Sequence, residues 1–293
     1  MKTPLIQRLA ILGPGLLGGS IGLAARQRRV AKRIVVWGRR AEAAHEAVTR
    51  GAAHEVARTP ADAVRNADLI VLCMTVEAMP AVARALRPGL KRGALVTDVG
   101  STKRSVVRRV GAVLGGKAAW IGSHPMAGGE RVGLRAAHAN LFADAMCFVT
   151  PLSDSSAAAV AKLIAFWEAL GGRVTALSPA RHDAVAALIS HVPHLTAAAL
   201  VNLVGRREPA ALGGVGNGFR DMTRIAAGAP EMWAGIAKTN RKEIRRGIGL
   251  LIEELRTLER TVAHASWREL HALLRRAKEI RDGLRPRRRS SGE

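Results

Sequence analysis

The sequence predicts an α/β fold, with a doubly wound parallel sheet followed by an all-helical domain. Three observations carry this. Short apolar strands alternate with amphipathic stretches up to about residue 151. A G-x-G-x-x-G segment, Gly13-Pro-Gly15-Leu16-Leu17-Gly18, separates the first strand from the first helix. Past Pro151 the texture changes, and from Ser178 to Leu284 almost everything reads as helix.

The first strand is Leu9–Leu12. Gly13 permits a tight turn, Gly15 lets backbone approach a pyrophosphate, and Gly18 lets the helix pack closely on the strand. Leu16 and Leu17 open that helix, whose free N–H groups and positive dipole end suit phosphate. The uncharged run Leu9–Ala25, behind Lys2 and Arg8, has the outline of a secretion signal. Its glycines and Pro14 make it a poor apolar helix, so it reads as folded protein in the cytoplasm.

The second strand is Arg33–Trp37, followed by Gly38-Arg39-Arg40. An acid at its end would bond the ribose 2′-OH of NAD, whereas Arg can bind a 2′-phosphate. With no acid and two guanidiniums, NADP is favoured over NAD; otherwise Arg39 and Arg40 are surface residues of an Arg-rich chain. Ala61–Asn66 reads as helix and Ala67–Met74 as strand, with Thr75 beside the cofactor just beyond it. Helix Ala78–Leu86, strand Gly93–Val99, helix Thr102–Leu114, strand Ala118–Gly122 and a last strand, Cys147–Thr150, follow. This is the order of a Rossmann domain. Ser155–Leu170 then reads as an Ala-rich helix and Gly172–Leu177 as strand-like. The expected division is residues 1–151, residues 152–285 and a basic tail, 286–293.

Composition bounds the function. The 293 residues are 48% hydrophobic, enough for a sizeable core. The net charge is +23, from 46 Lys+Arg against 23 Asp+Glu, which raises a nucleic-acid or membrane partner. Both halves are basic, so compositional bias on solvated faces accounts for most of it. There is no Tyr and only four Phe, a poor supply of base-stacking platforms. No nucleic-acid and no membrane partner is expected. The two cysteines, Cys73 and Cys147, sit in apolar runs as free thiols.

Polar residues gather where strands should end, in Thr97–Lys103 and in Gly122–Glu130. A third group lies in the helical half: His182-Asp183, Ser190-His-Val-Pro-His194 and Phe219–Arg224. His191 and His194, three apart on a helix broken by Pro193, leave a metal pair open as an alternative to a core histidine plus a binding histidine. Each site residue also has a structural alternative. His124 before Pro125 could cap a loop, Arg224 could sit in a salt bridge, and Trp233 could be packing or pocket wall.

Together these segments resemble the prephenate/arogenate dehydrogenase family of tyrosine biosynthesis. The resemblance rests on Gly13–Ser20, Thr97-Asp-Val-Gly-Ser-Thr-Lys103, Ser123-His-Pro-Met-Ala-Gly128, Ser190–His194 and Phe219-Arg-Asp-Met-Thr-Arg-Ile-Ala226. It implies a Rossmann domain plus an all-helical dimerisation domain, a homodimer, and a nicotinamide cofactor. The implied reaction is oxidative decarboxylation of prephenate to 4-hydroxyphenylpyruvate. His124 matches the family's catalytic His, and its neutral imidazole can take the substrate hydroxyl proton. Ser101 matches the Ser that bonds that hydroxyl and positions the nicotinamide. Arg224 and His194 match substrate-binding residues, while Glu130, Asp183 and Arg220 look like polar partners at the pocket mouth.

Gly129 stands where some members carry Thr, which leaves arogenate open as the substrate. No regulatory domain is expected after residue 285, so feedback by tyrosine would act at the active site. A β-hydroxyacid dehydrogenase is the rival enzyme class, but its helical-domain Lys has no well-placed counterpart here. The other rival, a DNA-binding redox sensor, lacks a recognition motif.

Overall fold

Six short strands form one parallel sheet in the computed structural model, which describes residues 4–129 and 133–284. In chain order its elements are β1 (Ile6–Leu12), α1 (Leu16–Gln27), β2 (Ala31–Trp37), α2 (Ala41–Thr49), β3 (Glu55–Val56) and α3 (Pro60–Val64). β4 (Leu69–Leu72), α4 (Met79–Leu86), β5 (Leu95–Asp98), α5 (Arg104–Leu114) and β6 (Ala119–Trp120) complete it. The order is β3-β2-β1-β4-β5-β6. Helix α2 and strand β3 add to the elements read from sequence.

Alternate residues serve opposite layers. Leu9 and Ile11 of β1 join one buried cluster, while Ala10 and Leu12 join the other. β4 divides the same way, Leu69 and Val71 against Ile70 and Leu72. Such strands need cover on both faces, and the helices supply it. The strand order reverses between β1 and β4, so the crevice beyond their carboxyl ends is the natural ligand site. Gly13–Gly18 lies there.

The expected last strand of this sheet belongs to a different one. β7 (Gly122–Pro125), β8 (Met146–Thr150) and β9 (Arg173–Ala176) form a separate sheet, with α6 (Ala157–Ala169) between β8 and β9 in the chain. β7 and β8 are antiparallel, with His124 opposite Phe148, while β8 and β9 are parallel. Among the described residues no α-helix links β7 to β8, and a parallel pair needs such a crossover. Helix α6, capped by Ser156, sends Leu163, Phe166, Trp167 and Leu170 into the cluster that holds Ile6 and Ile21. Residues 157–176 are therefore packed onto the sheet body.

The rest is helical. Helix α7 (Pro179–Ala186), a π-helical turn (Ala187–His191) and α8 (Val192–Arg207) form one continuous run. The break that the sequence predicts at Pro193 is absent. The wide turn just before it absorbs the missing N–H and the ring. By length and composition this run could cross a bilayer, yet it carries the buried His182, His191 and His194. Next come α9 (Asn217–Thr223), a 3₁₀ turn (Arg224–Ala227), α10 (Pro230–Thr239), α11 (Arg241–Ala263) and α12 (Trp267–Asp282). The buried apolar cluster here is small, Ala187, Ile236 and Ile244. Meanwhile Leu255, Val262, Trp267, Leu274 and Ile280 of α11 and α12 are all more than half exposed.

Candidate active site

The glycine-rich turn has the shape a dinucleotide needs. Gly13 adopts φ +105°, and a Cβ there would lie 2.3 Å from the Cys73 carbonyl oxygen. A Cβ on Gly18 would lie 2.1 Å from the Gly13 oxygen, so helix and turn can meet only at glycine. A Cβ on Gly15 would meet nothing within 4 Å, so the face where a pyrophosphate would rest is open. Leu16 starts α1 and Leu17 packs on the core beneath. Thr75 is exposed beyond β4. Arg39 and Arg40 are exposed beyond β2, beside Gly38, whose added Cβ would lie 3.0 Å from Pro14 Cδ. The residues present fit a dinucleotide cofactor.

The second construction begins at the end of β5. Asp98 and Lys103 are fully buried and paired, and Lys103 Nζ also donates to the Ser123 carbonyl oxygen at 2.8 Å. Asp98 accepts the Gly100 N–H at 2.8 Å and the Ser123 N–H at 3.1 Å. The Ser123 hydroxyl donates to the Asp98 carbonyl at 2.6 Å, and Trp167 Nε1 donates to that hydroxyl at 3.1 Å. A buried pair repays its desolvation only with further hydrogen bonds, and here both partners make them. The result is a rigid loop presenting Ser101 beside a rigid strand presenting His124.

His124, 7% exposed, heads a buried relay. Its Nδ1 lies 2.9 Å from His182 Nε2, and His182 Nδ1 lies 2.9 Å from Asp183 Oδ1. Asp183 in turn accepts the backbone N–H of Lys103 at 2.6 Å and of Arg104 at 2.9 Å. This fixes the tautomers by elimination. A carboxylate only accepts, so His182 carries its proton on Nδ1 and accepts at Nε2. His124 must then donate from Nδ1, which leaves the Nε2 lone pair as its acceptor. Burial, first of all, then His182 and Lys103, holds the His124 pKa well below the usual range, so the ring is neutral at pH 7. Burial also lowers His182, against the opposing pull of Asp183.

The relay continues through Asn240, whose Nδ2 donates to the Asp183 carbonyl oxygen at 2.8 Å and lies 3.2 Å from His191 Nδ1. His191 is fully buried, and burial pushes its pKa down to about 4. Trp233 meets it edge-on at 6.2 Å and stacks on His194 at 3.5 Å, with 9° between the planes. A Cβ on Gly228 would lie 2.4 Å from Trp233 Nε1, so glycine lets this stack close. The ring nitrogens His191 Nε2 and His194 Nδ1 are buried without a partner.

The structure thus joins His124, Asp183 and the loop bearing Ser101, and through Asn240 and His191 reaches Trp233 and His194. Arg224 begins the 3₁₀ turn next to Ile225, whose backbone neighbours His194. Arg220 is exposed on α9, a turn earlier. Gly129 is exposed with open space around it, and Glu130 lies outside the described residues. Asp183 is 1% exposed, and its carboxylate is taken up by His182 and by two backbone N–H groups. Among the described residues no three His, Cys, Asp or Glu side chains converge to hold a metal. His182, Lys103 and Asn240 had no role read from sequence. The adjacent His182-Asp183 pair was the visible signal, but its partner His124 lies 58 residues away.

Comparison with known proteins agrees with this geometry. Residues 21–176 match the family model described as prephenate dehydrogenase, nucleotide-binding domain, and residues 178–276 match its dimerization domain. The prephenate dehydrogenase of Bacillus subtilis is 33% identical over 280 residues, covering 94% of this chain and 76% of that one. The crystal structure of Aquifex aeolicus prephenate dehydrogenase with hydroxyphenyl propionate and NAD+ superposes with a TM-score of 0.87 at 29% identity, covering 96% of this chain and 98% of that one. Synechocystis arogenate dehydrogenase superposes with a TM-score of 0.81 at 28% identity, covering 94% and 99%. The chain, an oxidoreductase by descent with a nucleotide-binding and a helical part, belongs to the prephenate dehydrogenase family.

Proposed function

We propose that the chain oxidatively decarboxylates prephenate to 4-hydroxyphenylpyruvate with NADP+ as acceptor. The observation that carries this is the His124–His182–Asp183 relay, which presents a neutral imidazole Nε2 beside the Ser101 loop. A bound nicotinamide would supply the hydride acceptor, held on the Gly13–Gly18 turn. The substrate's C4 loses hydride while His124 Nε2 takes the proton of the C4 hydroxyl. The imidazolium so formed is supported through His182 by the Asp183 carboxylate. The bond from the ring to its carboxylate then breaks, its electron pair enters the ring, and CO2 leaves. The proton returns from His124 to the phenolate oxygen, so the reaction releases no net proton. Ser101 orients the hydroxyl, while His194 and Arg224 bind carboxylate at the far end. Glu130 and Arg220 are assigned to the pocket mouth, and Asp183 to the relay.

NADP+ is favoured because β2 ends without an acid and two guanidiniums follow it. We place the domain division near Leu177, after β9. The exposed apolar faces of α11 and α12 support a homodimer. Arogenate is the second reading, since Gly129 offers no hydroxyl at the pocket mouth.

The test is purified protein with prephenate or arogenate and NADP+ or NAD+, followed at the absorbance of reduced nicotinamide. Turnover fastest with prephenate and NADP+ is expected. No reduction with any of the four pairs overturns the reading.

A further inference from the structure

Five cationic side chains without an ion-pair partner among the described residues line one cleft behind this site. The cleft has a volume of about 490 Å³ and lies between the start of α5, the end of α10 and the start of α11. Arg104, Arg108 and Arg109 come from α5, and Arg241 and Lys242 from α11. Among the described residues none of the five makes an ion pair, and their head groups make no hydrogen bond. The acids nearby are already engaged. Glu77 holds Lys238 at 3.3 Å, Glu243 faces Arg246 at 3.9 Å, and both Asp183 oxygens accept backbone N–H groups. Arg104 also opens an 11-residue helix, so its positive dipole end adds to the field.

The five side chains are exposed, and a polyanion bound among them would offset the mutual repulsion of like charges lining one cleft. The cleft is of ligand size. Guanidiniums bind phosphate oxygens in pairs, and five cations exceed what one carboxylate or one phosphate requires. We propose that the cleft binds an oligophosphate, two or more linked phosphoryl groups, free or as a nucleoside ester. It is separate from the glycine-rich turn, which lies at the β1/β4 crevice. It shares Asp183 with the relay, so its occupant lies one carboxylate away from His182.

Calorimetric titration of the full chain with inorganic tripolyphosphate, and separately with ATP, tests this. The comparison uses two multiple variants. Arg108→Ser/Arg109→Ser/Lys242→Ser removes charge from the cleft, and Arg39→Ser/Arg40→Ser removes it from the end of β2. Saturable binding that weakens at least tenfold in the cleft variant, and less than threefold in the other, is expected. Equal affinity for the two ligands identifies the phosphate chain as what is recognised, and tighter ATP binding identifies the ester. Absence of saturable binding overturns the proposal. So does loss confined to the Arg39/Arg40 variant, or equal loss in both, which is the mark of diffuse attraction.

Discussion

Replacing His182 with Leu removes the middle of the relay while keeping the site apolar and filled. His124 Nδ1 then loses the acceptor 2.9 Å away, and nothing ties the ring to the tautomer with a free Nε2. The imidazolium formed during reaction also loses its link to Asp183. A hydrogen bond to a charged group contributes about 1.5–3 kcal/mol. Spent at the transition state, that is roughly a 10- to 150-fold loss in kcat. KM should change little, because His182 is fully buried and touches no substrate. The buried Nδ1–H left unsatisfied also destabilises the fold by about 1–3 kcal/mol, to be read separately by thermal melting. His182→Gln should recover most of the rate, since its amide can accept from His124 and donate to Asp183. Steady-state rates by nicotinamide absorbance decide the matter. A His182→Leu enzyme within twofold of wild-type kcat would refute the relay, and so would a Gln variant no better than Leu.

Four further outcomes follow from the same geometry. Lys103→Met strands the Asp98 carboxylate in the interior and should cost about 3–5 kcal/mol in urea unfolding, with less than 1 kcal/mol contradicting it. Arg39→Ala should lower kcat/KM for NADP+ roughly tenfold and leave NAD+ nearly unchanged; equal losses would detach Arg39 from the 2′-phosphate. The His124 pKa is lowered, and its neutral form is the active one, so kcat/KM should stay flat as pH falls through 6.5 and decline only below it. Stability should follow the buried histidines. The unfolded His191 gains its proton near pH 6.5 and the folded one near 4, so up to about 3 kcal/mol is present above 6.5 and lost as pH falls toward 4. Unfolding free energies flat over that range would contradict its burial as a neutral ring.

Local chemistry was legible in the sequence, and distant pairing was not. Gly13, Gly15 and Gly18 announce themselves because their reasons lie within one turn of chain; the structure shows the steric need of Gly13 and Gly18 and open space at Gly15. The strands of the parallel sheet were visible as apolar runs bounded by glycine and charge. Cys147–Thr150 looked the same, yet joined a second sheet, because an apolar run carries no mark of its partner. Helix α6 read as the start of the helical half for a similar reason. Its allegiance is decided by Trp167 entering the first core, a contact no periodicity encodes. At the site, the motifs single out His124 and Ser101, and the structure sets the segments that carry them side by side through Asp98, Lys103 and Ser123. The part played by His182 was not, since it arises where β7 meets α7. Asp183 was assigned to a pocket mouth on its polarity, while the fold uses its carboxylate to hold two backbone N–H groups.

The central claim is that His124 is the base that takes the substrate hydroxyl proton. Its most direct test is the steady-state rate of His124→Asn with prephenate and saturating cofactor. General-base catalysis contributes about 10²- to 10⁴-fold, so kcat should fall by at least about a hundredfold with KM nearly unchanged and the acid limb of the pH profile abolished. A variant that keeps wild-type kcat and the same pH profile would contradict the account.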